Sequence, residues 1–252
     1  TTVATPTTVT TTVTTTVTTP VTITKAPEKL KVAFIYVGPI GDYGWTHAHD
    51  VGRRYITNLF KDYIDTTYVE SVEEPKVYDV IKKLIGEGYK LIFTTSFGFM
   101  DGTLKAAQEF PNIIFFHCSG YKRWDNMGTY FADFYQVYYL NGLMAGALTK
   151  SDKVGYVAAH PIPEVIRHIN AFALGVKEVN PNAKVYVRWI HAWYDPAKAR
   201  SAAESLIAEG VDVIAFTEDS PAVIEVAQEY YKRGVPVYAF AHYSPMLKFG
   251  PD

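Results

Sequence analysis

The sequence predicts an α/β protein of two doubly wound lobes, each built on a parallel sheet and joined by a hinge. From Lys25 onward, short apolar runs alternate with amphipathic helical stretches, as βαβ units require. The alternation restarts near Ser151, so two similar halves are visible, residues 29–150 and 151–252. Between them runs Tyr135–Thr149, a long apolar helical stretch whose small residues Gly142, Ala145 and Gly146 permit close packing. It reads as the element crossing between the lobes.

Within the first half, KVAFIYV (31–37) reads as a buried strand leading through GPIGDYGWTHAHD (38–50) to a helix near Gly44–Phe60. IDTTYVE is the second strand. Lys76–Gly86 is the second helix, with Val77, Val80, Ile81, Leu84 and Ile85 on one face. KLIFTT (90–95) is the third strand, followed by SFGFMDG and a helix to Phe110. NIIFFHC (112–118) and Asn126–Phe131 supply the fourth and fifth strands. In the second half, Val154–Ala158, Val185–Trp189, Val211–Thr217 and Val235–Phe240 read as strands. The intervening helices are Pro163–Val179, a stretch capped by Asp195 and running to Glu209, and Pro221–Arg233.

Composition narrows the function. The 252 residues are 48% hydrophobic and 20% charged, with a formal net charge of -2, which offers no electrostatic footprint for nucleic acid. Cys118 is the one cysteine, so neither an intrachain disulfide nor a Cys-based zinc site can form, and its apolar run IIFFHC marks it as a buried, inert thiol. There is no run of 18 apolar residues. Residues 1–24 hold 15 Thr with Val, Ala, Pro and Ile and no charge, and residues 1–28 read as a disordered, Thr-rich stalk holding a domain away from a membrane. The lack of an initial Met marks a processed or trimmed chain.

The chemistry is read at the carboxyl ends of strands, where open α/β sheets meet their ligands. These ends carry Asp42 and Trp45, then Ser96, Phe97 and Asp101, then His160, His191, Trp193 and Asp195, then Glu218, Asp219, His242 and Tyr243. Such a set of rings and acids suits a flat heteroaromatic ligand, sandwiched between rings while carboxylates accept from its N–H groups. Asp195 also reads as a helix cap and Asp101 as an opening acid of the third helix. The glycines at 38, 41 and 44 are spaced GxxGxxG rather than GxGxxG, a weak dinucleotide signature. His47 and His49, two apart on a helix, point in different directions and cannot share a metal. No cofactor, metal or catalytic residue is expected.

The segments GPIGDYGWTHAHDVGRR, TTSFGFMD, GYVAAHPIPEVIRHINAFALGVKEVNP, HAWYDPAKARSAAESLIAEGVDVIAFTEDSPA and AFAHYSPM resemble the BMP (basic membrane protein, PnrA-like) family, substrate-binding lipoproteins of ABC transporters. The resemblance covers Lys29–Asp252. It implies a two-lobe periplasmic-binding-protein fold that closes on a purine nucleoside or a free purine base. It also implies a monomer on the outer face of the cytoplasmic membrane that delivers to an ABC permease. By motif, Asp42 and Trp45 fall in the first ligand loop, Phe97 in the SFG loop, Trp193 where a ring stacks on the base, and Asp219 where an acid contacts the ligand. Asp42 is expected as the polar anchor and Trp45 as one face of the stack, with Trp193 opposing it. His242 and Tyr243 complete the expected site.

Two departures from the family pattern bear on this. Members carry further C-terminal strands and helices, so the second lobe is expected to be incomplete at Asp252. Trp stands for the more usual Phe at two stacking positions, which favours a free base such as adenine. Two alternatives stay open: a receptor of the same fold for a sugar or other small molecule, and a nucleoside-processing enzyme. The enzyme would need a metal-ligating acid cluster or a phosphate site, and neither is evident in the sequence.

Overall fold

The structure, a computed structural model, describes residues 28–252; the expected stalk lies outside them. The first half contains β1 (Leu30–Ile35), α1 (Trp45–Leu59), β2 (Ile64–Val69), α2 (Val77–Gly86), β3 (Leu91–Thr94), α3 (Met100–Glu109), β4 (Ile114–Cys118) and β5 (Met127–Tyr130). After α4 (Phe134–Leu148), the second contains β6 (Lys153–Ala158), α5 (Pro163–Val179), β7 (Lys184–Trp189), α6 (Pro196–Ala208), β8 (Val213–Thr217), α7 (Ala222–Lys232) and β9 (Tyr238–Ala239). Two all-parallel sheets result, ordered β2-β1-β3-β4-β5 and β7-β6-β8-β9.

Both faces of each sheet are used, which is why the strands read as continuous apolar runs rather than alternating ones. Along β1, Ala33 and Ile35 join the cluster under α2 and α3, whereas Val32 and Phe34 point to the opposite face, where Ile56 of α1 packs. The second sheet repeats the arrangement. Val157, Ile214 and Phe216 face α6 and α7, while Tyr156, Val213 and Ala215 face α5 and α4.

In the second half, two predicted strands are shorter than their apolar runs, for one reason. Gly210 (φ 91°) and Gly234 (φ 82°) each adopt a left-handed conformation just past a helix end. The next residue turns back, so Val211 donates to the Leu206 carbonyl (3.1 Å) and Val235 to the Tyr230 carbonyl (3.0 Å). These bonds are the Schellman closure of α6 and α7. They draw the first valine of each run into the helix cap, so pairing starts only at Val213 and Tyr238.

By packing, α4 goes with the second sheet. A Cβ added to Gly142 would lie 2.1 Å from the Phe172 carbonyl oxygen, and one on Gly175 would lie 2.2 Å from that of Tyr139. The backbones of α4 and α5 therefore touch directly. Tyr138 adds a hydrogen bond from its hydroxyl to the Phe216 carbonyl on β8 (2.8 Å). The small residues of this helix do mediate close packing, and their partner is α5.

Candidate functional site

In each sheet the strand order turns back at the strand that comes first in sequence: β1 lies between β2 and β3, and β6 between β7 and β8. Connections leaving two such neighbours go to opposite faces, which opens a crevice at their carboxyl ends. The loops after β1, β3 and β4 approach those after β6, β7 and β8 and the segment after β9. Between them is a cleft of about 350 Å³, lined by Val37, Trp45, Ser96, Phe97 and Ser119 from one side and Glu164, Val165, Trp193, Thr217, Asp219, His242 and Tyr243 from the other.

Six of the seven predicted residues, Trp45, Phe97, Trp193, Asp219, His242 and Tyr243, line this one cleft. Asp42 is placed apart from it. Its buried carboxylate accepts from the backbone N–H groups of Gly44 (2.9 Å), Thr46 (3.1 Å) and His47 (2.9 Å). These are free donors at the start of α1, so Asp42 caps the helix and its lone pairs are committed. Its place as a carboxylate at the cleft is taken by Glu164, which sequence reasoning missed. An acid after Pro163 in the first turn of a helix reads as dipole compensation. In the structure it instead accepts from the Ser119 hydroxyl across the lobes and from the Tyr243 hydroxyl (3.2 Å).

The two tryptophans are held differently. Trp45 is buried, donates its indole N–H to the Thr95 carbonyl, and meets the Tyr243 ring at 4.9 Å between centroids. Trp193 packs at 4.9 Å against His160 and donates its indole N–H to Glu74 Oε1 (3.3 Å). Asp219 joins the lobes. Its Oδ1 accepts from the Trp45 backbone N–H (3.2 Å), and its own N–H donates to the Trp193 carbonyl (2.8 Å). Ser119 (φ 76°) and Tyr243 (φ 57°) are both left-handed. Such conformations cost about 1–2 kcal/mol for residues with a Cβ, and they concentrate at ligand sites.

The electrostatics are one-sided. Burial, with Asp42 and Glu218 nearby, holds the Asp219 carboxyl well above its usual range. Burial pushes Glu218 up to about 8 and raises Glu164 and Asp42 as well. No Lys or Arg lines the cleft. A ligand that presents N–H or O–H donors meets carboxyl oxygens there, and an anionic one would be buried without a cation to pair it. Burial lowers His242 well below the usual imidazole value, so its ring is neutral, and it pairs with the Tyr138 hydroxyl.

Other candidates lie elsewhere. Asp195 caps α6, accepting from Lys198 N–H (3.0 Å), and Asp101 is an exposed first-turn acid of α3 paired with Lys122 at 2.6 Å. His47 and His49 are bonded to the carbonyls of Ile40 (3.1 Å) and Trp45 (2.9 Å). Cys118 is buried, and burial pushes its thiol up to about 12.

The model of a family described as ABC transporter substrate-binding protein PnrA-like matches residues 29–243. A purine-binding protein of Brucella abortus is 46% identical over 228 residues, 90% of this chain and 64% of that protein. An ABC transporter protein of Haloferax volcanii named for glucose binding is 40% identical over 225 residues, covering 89% of this chain and 56% of that one. The chain thus spans less than two thirds of the length of either relative. Among solved structures, a solute-binding protein of an ABC transporter from Aeropyrum pernix K1 superposes with a TM-score of 0.75 at 20% identity, over 83% of this chain and 61% of that one, a likeness of fold.

Proposed function

Since the chain belongs to the PnrA-like family of ABC transporter substrate-binding proteins, we propose that it captures a purine, a free base such as adenine or else a nucleoside, and delivers it to an ABC permease. The observation that carries this reading is the pairing of the rings of Trp45, Phe97 and Trp193 with the buried acceptors Asp219 and Glu164 in one cleft. The rings offer faces to a flat heterocycle, and the carboxylates accept from its exocyclic or ring N–H groups. The name of the Brucella abortus relative supports the same ligand class. The protein works outside the cytoplasm as a monomer, tethered to the membrane through its Thr-rich N-terminal segment. Its lobes close on the ligand, and no bond of the ligand is broken.

The name of the Haloferax volcanii relative favours a second reading, a sugar receptor. Sugar hydroxyls accept as well as donate and call for Asn, Gln, Arg or Lys, none of which, among the described residues, lines this cleft. A thermal-shift panel of adenine, hypoxanthine, adenosine, inosine and glucose separates the two. The expected result is a rise in Tm with a purine and none with glucose; a rise with glucose alone would overturn the purine assignment. Release of free base from adenosine or inosine by the purified protein would make it an enzyme instead.

A further inference from the structure

We propose that Glu74 is the latch of this cleft: it holds the two lobes together at the rim and sets how long a ligand stays, without touching the ligand. This rests on the capture function above. Glu74 opens the 3₁₀ turn Glu74–Lys76, between β2 and α2. Its Oε1 accepts from the Ser96 hydroxyl at 2.9 Å, within its own lobe, and from the Trp193 indole N–H at 3.3 Å, from the other. Both donors line the cleft, whereas Glu74 does not. One carboxylate oxygen thus ties together a residue from each wall.

The setting is built for this carboxylate. A Cβ added to Gly98 would lie 1.9 Å from the Glu74 carboxyl carbon and within 2.2 Å of both its oxygens. The glycine after Phe97 therefore leaves the space that the carboxylate fills. On Trp193, the His160 ring packs at 4.9 Å, so the indole is held by a ring contact within its own lobe and an acceptor from the opposite lobe. A hydrogen bond to a charged acceptor is the stronger kind, and here it forms only when the lobes meet. Opening breaks it, so its loss is expected in the dissociation rate rather than the association rate.

The test uses Glu74→Ala, Glu74→Gln and Gly98→Ala. Adenine dissociation is followed by stopped-flow tryptophan fluorescence, and lobe separation by the distance between spin labels attached at Tyr63→Cys and Leu174→Cys, both exposed positions. Glu74→Ala is expected to release adenine about tenfold faster and to shift the ligand-free distance distribution to longer values, with the Tm unmoved. Glu74→Gln keeps an oxygen acceptor and is expected to stay within about threefold of the parent. Gly98→Ala displaces the carboxylate and should follow Glu74→Ala. A Glu74→Ala protein with the parent distance distribution overturns the latch, whether or not adenine binds. Failure of adenine to bind the parent overturns the ligand assignment alone, because the distance measurement needs no ligand.

Discussion

The backbone N–H of Trp45 donates to Asp219 Oδ1 at 3.2 Å, joining the start of α1 in one lobe to the tip of β8 in the other. The same aspartate receives a backbone amide from across the lobes and has Asp42 and Glu218 as neighbours, so it senses both closure and the charge around it. Removing its acceptor should weaken both closure and ligand contact. Asp219→Ala is expected to lose about ten- to hundredfold in purine affinity by calorimetry. Because burial already favours the protonated carboxyl, Asp219→Asn should lose distinctly less. Equal losses in the two variants would mean that the negative charge, not the acceptor, is what matters.

Gly44 precedes Trp45 and lies against the same partner. A Cβ there would sit 2.6 Å from the Asp219 Cα, a backbone contact that no rotamer relieves. Gly44→Ala should therefore hold the lobes apart while each still folds. The expected outcome is a drop of at least about tenfold in purine affinity with a nearly unchanged ligand-free Tm.

Burial pushes the Glu218 carboxyl from the ordinary 4.5 up to about 8. Between those values the folded chain keeps a proton that the unfolded chain has released. Its contribution to stability is complete below about pH 4.5 and is lost as the pH rises through about 8. Glu218→Gln has no such loss. Differential scanning fluorimetry should find the parent falling behind Glu218→Gln between pH 5 and pH 8, and a constant gap between them would contradict the assignment.

His168 behaves oppositely. Among the described residues neither of its ring nitrogens has a partner, its ring stacks on Tyr138 at 4.7 Å, and burial lowers it to about 4 from 6.5. Below about pH 6.5 the unfolded chain takes up a proton that the folded one refuses, so the parent loses stability as the pH falls towards 4. His168→Phe, with no titration, should gain on the parent in Tm between pH 6.5 and pH 4.5.

The seam between α4 and α5 admits no side chain at Gly142. Gly142→Ala forces the helices apart, and urea unfolding should register a loss of about 1–3 kcal/mol, the usual cost of overpacking.

Much of this was legible in the chain. The runs KVAFIYV, KLIFTT and NIIFFHC announced buried parallel strands, and the tips of those strands pointed to Trp45 and Phe97. Trp193, Asp219, His242 and Tyr243 followed from the same logic in the second half and meet them in the cleft. Asp42 was expected at the cleft, but a carboxylate three residues before a helix serves equally well as a cap or a ligand, and the three amides around it place it at the cap. Glu74 and Glu164 stayed hidden for another reason. Each sits in the first turn of a helix, where acids are expected on dipole grounds, and their partners Trp193 and Ser119 lie 119 and 45 residues away in sequence. Long-range pairing of that kind leaves no periodic trace.

The direct backbone contact of α4 with α5 has a mechanical consequence. A helix riveted to its neighbour at Gly142 and Gly175 cannot bend or swivel on its own. It turns as a lever arm fixed to the second sheet. Among the described residues the chain passes from one sheet to the other through 131–133, between Tyr130 at the end of β5 and Phe134 at the start of α4. At this crossing any rotation of the lobes is borne by three residues, and the fifteen of α4 carry it into the packed body of the second lobe.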